Sequence, residues 1–163
     1  MAYASWSVVY GEQPSAAKWN ILGTNDAHFY SFLGDNLPWQ TWTPTFANFT
    51  KGSATVTAKY TQVGKTVHFR LEVTLSSSTM GSIPTFTLPI TASSYLTGTP
   101  IGQVEITDTG TTTYTGVCNL VTTTTAKMVY LDSNTAKQNI TSTQPMTWAN
   151  TDVFAITGTY EVA

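Results

Sequence analysis

Catalysis or metal binding in this chain must be built from few parts: two histidines, one cysteine and nine carboxylates. A nucleophilic triad needs a base beside its serine or cysteine, and no G-x-S-x-G frame is present to place one. His28 falls on the flank of a predicted helix and His68 on the polar face of a predicted hairpin. Neither has further ligands at metal-binding spacing, and no H-E-x-x-H or C-x-x-C pattern occurs. Both are expected to face solvent. Cys118 stands among Thr, Tyr, Gly and Leu in a predicted strand, without a basic neighbour or a helix N-terminus to activate it, so a buried structural thiol is expected. Glycan cleavage wants two carboxylates flanking a bond. Glu105 and Asp108 are close in sequence, but "EITDTG" is a strand running into a turn, which gives Asp108 an ordinary turn role. A depolymerase would have to rest on Glu105. Asp132-Ser133-Asn134 is too brief for a calcium loop and reads as a turn. The sequons at Asn48-Phe49-Thr50 and Asn139-Ile140-Thr141 read as chance matches, since no secretory leader is apparent.

Aromatic side chains are the stronger candidates. Trp39 and Trp42 stand in "WQTWTP", between a helical and a β region. They either plug the helix onto the β region or present a flat platform to a sugar ring. Tyr95, Tyr114 and Tyr130 could line a saccharide groove, fill the core or lie in a subunit interface, and sequence does not choose among these.

The elements that position them fall in two parts, expected at residues 1–38 and 39–163. Trp6, Val8 and Tyr10 alternate with polar or small neighbours, so Met1 to Gly11 is expected as an extended arm or strand. Pro14-Ser15 starts a helix, with Ser15 able to cap it. Trp19, Leu22, Asp26, Phe29 and Leu33 recur at spacings of three and four and share one face. Gly34-Asp35-Asn36 and Pro38 end the helix, and Gly23-Thr24 is expected to break it, with Thr24 capping the second half. So short a helix is marginal alone and must dock on the β domain or on copies of itself.

From about Trp42 the period becomes two. Val56, Ala58 and Tyr60 alternate with Thr55, Thr57 and Lys59; Val67, Phe69, Leu71, Val73 and Leu75 alternate with His68, Arg70, Glu72 and Thr74. A glycine between two such runs marks a hairpin, and Gly64 supplies the positive φ. Further strands are expected near Thr85–Leu88, Ile101–Thr107, Thr112–Val121, Ala126–Leu131 and Val153–Val162, separated by Gly, Pro, Ser, Asn and Asp clusters. The fold class is therefore mainly β, an antiparallel, jelly-roll-like β-sandwich behind a short helical segment.

Composition narrows the function classes. The chain has 163 residues, a size that buries a core without disulfides, and its single cysteine allows no internal one. Charged residues make up only 10%, against about 25% in an ordinary soluble domain. The seven basic residues are scattered along the chain, so the electrostatic footprint of a nucleic-acid binder is missing. No apolar run approaches the length of a membrane span, and the N-terminus lacks the charged and apolar regions of a signal peptide. A surface dressed in Thr and Ser hydroxyls suits long-lived extracellular or particle-bound proteins, and often proteins that oligomerise.

"GEQPSAAKWNILGTNDAHF", "WQTWTPTFANFTKGSATVTAKYTQVGKTVHFRLEVTL" and the ending "TDVFAITGTYEV" resemble segments of bacteriophage tail-fibre, receptor-binding and other virion proteins. The resemblance covers most of the chain. It implies an N-terminal helix that attaches to the particle or trimerises. If three such helices meet, the face carrying Trp19, Leu22, Asp26, Phe29 and Leu33 lines the three-fold axis, the alternative being that Asn25 and Asp26 face solvent. It also implies a β-sandwich displayed outward, commonly with three-fold symmetry, and neither catalysis nor a cofactor. The partners expected are two further copies of the chain, other virion proteins of tail or capsid, and a host-surface glycan; nucleic acid and membrane insertion are not expected. The location expected is the virion, assembled in the host cytoplasm. A capsid decoration protein or head fibre, and a free carbohydrate-binding module, are the alternatives.

Overall fold

The computed structural model describes residues 10, 11, 13, 15–33 and 39–163, with residues 28–33 by their backbone only. Most of the expected N-terminal arm, and the expected helix stop at Gly34-Asp35-Asn36 and Pro38, lie outside the described residues. The chain divides into two compact units, Met1–Pro38 and Trp39–Ala163.

In the first unit, helix α1 spans Ala16–Leu33. Ser15 caps it: its Oγ accepts the Lys18 N–H at 3.3 Å, and its carbonyl accepts the Trp19 N–H at 3.0 Å. Gly23-Thr24 does not break the helix. The Thr24 hydroxyl donates back to the Asn20 carbonyl at 2.8 Å, a bond made inside a helix, so it is not free to cap a second one.

In the second unit, ten strands form one antiparallel sheet: β1 (Gln40–Thr41), β2 (Phe46–Thr50), β3 (Thr55–Val63), β4 (Thr66–Thr74), β5 (Thr79–Thr87), β6 (Pro100–Asp108), β7 (Thr112–Thr122), β8 (Thr125–Leu131), β9 (Lys137–Asn139) and β10 (Val153–Glu161). The order is β1-β3-β4-β10-β6-β7-β8-β5-β2, with β9 on β8. β1 and β2 are consecutive in the chain yet lie at opposite ends of this order. The four residues between them therefore hold the two ends of the sheet together, so the sheet must curl. Trp42 and Thr45 seal the seam. The Trp42 indole N–H donates to the Thr87 carbonyl at 3.2 Å, while Thr45 and Thr87 exchange bonds at 3.0 Å. The expected mainly β, antiparallel architecture is present, with its facing layers supplied by two halves of one curled sheet.

Alternation places the core inside this curl. In β4, Val67, Phe69, Leu71 and Val73 are buried while His68, Arg70 and Glu72 are exposed. Phe69 packs on Trp42, Phe86 and Tyr160 with ring centroids 6.3, 6.4 and 5.8 Å away. Phe49 of β2 meets Phe154 of β10 at 5.7 Å. Rings from strands far apart in the sheet order thus touch across the interior. Each such side chain contributes roughly 1.5–3 kcal/mol on burial. Asp152, the one buried charged residue among those described, accepts the Ala149 and Thr109 N–H groups at 2.7 and 3.1 Å. It thereby ties the β6–β7 turn to the approach to β10.

Candidate functional site

Strand β10 lies between β4 and β6, and its central outward positions, Ala155, Thr157 and Thr159, are small. Register places Thr157 between Arg70 and Gln103, and Ala155 between Glu72 and Glu105. Side chains stand roughly perpendicular to a sheet. A short central row flanked by long side chains therefore leaves a trough, with walls two strand spacings, roughly 9.5 Å, apart at the backbone. The trough comprises two adjoining concavities of about 410 and 500 Å³ that share Ala155 and Thr157. Trp39, Thr57, Lys59, Arg70 and Glu72 line one; Gln103, Glu105, Thr115, Val117 and Leu131 line the other.

The polar groups of this trough are not consumed by the fold. Among the described residues, the side chains of Lys59, Glu72, Gln103 and Glu105 make no hydrogen bond or ion pair. Arg70 makes only a ring contact: its guanidinium carbon lies 4.7 Å from the centroid of the Trp39 ring. Trp39 remains 39% exposed, so its ring keeps surface for a ligand. One aromatic face, two cations, two carboxylates and an amide converge on a concave surface, the makeup of a site for a polar small molecule or a glycan segment.

The aromatic candidates part company here. Trp39 is on the trough. Trp42 is not: it packs into the core against Tyr60 and Phe69, because its indole is needed at the sheet seam. Tyr114 points to the core side, opposite Ile106. Tyr130 is buried, with its hydroxyl donating to Gln144 Oε1 at 2.7 Å. Both fall on inward positions of their strands, so neither lines a surface groove. Tyr95 is exposed in a short 3₁₀ turn (Ser94–Leu96) and donates to Glu161, which holds its phenol above the usual range; it is not among the residues lining the trough.

The carboxylate pair suggested by sequence is likewise separated. Glu105 and Asp108 are three apart on β6 and so face opposite sides of the sheet. Asp132 closes a turn by accepting the Asn134 and Ala136 N–H groups, both at 2.9 Å, and the Gln138 amide at 3.0 Å. The Gln138 bond first, then those to the backbone, hold its carboxyl below the usual range. His68 shares a hydrogen bond with Thr159 at 2.9 Å on the exposed face; the His28 side chain lies outside the described residues. Cys118 is fully buried, and burial pushes its thiol far above the ordinary value. No group of three metal-ligating side chains converges among the described residues.

On α1, Trp19, Leu22, Gly23 and Asp26 line one shallow concavity, with Trp19 58% and Leu22 41% exposed. The shared face is therefore present for its first three members; the side chains of Phe29 and Leu33 lie outside the described residues. Comparison with protein-family models, with curated proteins and with solved structures returned no match to the chain.

Proposed function

We propose that the chain is a non-enzymatic virion protein of the fibre or receptor-binding type, whose β unit recognises a host-surface glycan in the trough along β10. The observation that carries this reading is the set of unpartnered polar side chains beside Trp39 on a concave face. Sugars are bound by such sets, because planar polar side chains meet ring hydroxyls while an aromatic face covers the apolar C–H face. The resemblance of the N-terminal, hairpin and C-terminal segments to phage fibre proteins supplies the biological setting. Attachment or trimerisation falls to the N-terminal segment, whose exposed Trp19 and Leu22 offer apolar surface to copies of the chain. A capsid decoration protein would share the fold but would not need the trough.

Binding of the full chain to a panel of oligosaccharides tests this. Trp39→Ala is expected to weaken binding roughly tenfold while leaving the melting temperature almost unchanged. Trp42→Ala is expected to lower the melting temperature instead. Equal binding by wild type and Trp39→Ala would remove the trough from the account. Light scattering at micromolar concentration is expected to give the mass of a trimer, and a monomer would refute the assembly part.

A further inference from the structure

Lys59 and Arg70 are directly opposite each other in the β3–β4 ladder. Both are exposed, and among the described residues neither has an ionic partner. Like charges placed opposite across two strands repel and destabilise a hairpin. In a chain with only seven basic residues, the fold thus brings two of them together with no ion pair to either, Glu72 being the carboxylate that lines the same concavity. Arg70 is also held in place, its guanidinium lying against the Trp39 ring at 4.7 Å. A guanidinium fixed by stacking keeps its planar fork of N–H donors ready for a two-oxygen anion. The concavity beside the pair, about 410 Å³, continues along β10 toward Gln103 and Glu105, which offer acceptors and a donor to hydroxyls.

We infer that the Lys59–Arg70 pair is the anion-recognition end of the trough and that the glycan it takes carries a carboxylate on the sugar ring seated beside Trp39. This rests on the glycan-binding reading above and adds the class of sugar. Uronic and sialic acid units have the required chemistry: a carboxylate for Arg70 and Lys59, and ring hydroxyls for the walls farther along.

The test is a panel of acidic oligosaccharides, each paired with the methyl ester of its carboxylate, offered to the full chain at low and moderate salt. Binding is expected only to the free acids. It should weaken as salt rises and fall about tenfold in Arg70→Gln. Lys59→Gln is the decisive variant. It is expected to weaken binding while leaving the melting temperature equal or higher, a combination that a purely structural lysine would not give. Equal binding of acids and esters, with Arg70→Gln unaffected, would overturn the acidic-sugar inference and leave glycan recognition standing. Failure of every member of the panel to bind would overturn both.

Discussion

Replacing Phe69 with alanine is expected to lower the free energy of unfolding by about 3–5 kcal/mol. The side chain is 1% exposed and stands where three parts of the curled sheet meet: Trp42 at the seam, Phe86 on β5 and Tyr160 on β10. Truncation removes these edge and tilted ring contacts together. The cavity cannot collapse easily, because Phe86 is paired on both sides, Tyr160 is paired with β4, and the Trp42 indole is tied to the Thr87 carbonyl. Denaturant unfolding followed by tryptophan fluorescence measures the loss. A change below about 1 kcal/mol would mean that the rings do not pack as described.

The second large effect is expected at Gly158→Ala, at about 3 kcal/mol. Gly158 is the inward position of β10 opposite Phe69, and the ring occupies the space a side chain would need. A Cβ there would lie 2.4 Å from Phe69 Cε1 and 2.5 Å from the Ile101 carbonyl oxygen. The ring can swing aside, but the carbonyl belongs to the adjoining strand and cannot move without disturbing the β10–β6 ladder. The two sites are therefore coupled. The double variant Phe69→Ala/Gly158→Ala is expected to lose less than the sum of the single losses, since removing the ring relieves part of the clash. Because β10 forms the floor of the trough, Gly158→Ala is also expected to impair the proposed glycan binding in whatever fraction remains folded.

The parts of this fold that sequence revealed are those with local period. β3 and β4 alternate cleanly around Gly64, whose φ is 58°, and β6, β7, β8 and β10 follow their expected spans within a few residues. β1 is too short to carry a period. β2 loses its period because Asn48 adopts a φ of 56° at a register shift, so alternation alone does not reveal the strand. The first half of β5 was hidden for a related reason. Gly81 sits there because a Cβ would come 2.7 Å from the Asn48 carbonyl oxygen, and the glycine reads as a turn signal when its partner strand is unknown.

The trough was legible only in part. A hairpin turning at Gly64-Lys65 already places Lys59 opposite Arg70, so that juxtaposition was within reach of the sequence. The insertion of the C-terminal β10 between β4 and β6 was not. It depends on pairings between residues such as Arg70, Thr157 and Gln103, which no local pattern encodes. Small outward residues at 155 and 157 acquire meaning only once their long neighbours are known. The aromatic candidates were sorted for the same reason: strand parity and the need to close the sheet sent Trp42, Tyr114 and Tyr130 to the interior and left Trp39 outside.

Backbone amide shift mapping of the full, isotope-labelled chain tests most directly whether the outward face along β10 is the proposed recognition surface. Titration with an oligosaccharide from the panel is expected to perturb amides around Ala155 to Thr157, Arg70 to Glu72 and Gln103 to Glu105, together with the Trp39 indole. Perturbations confined to α1 or to the Tyr95 turn, with the β10 face unmoved, would contradict it.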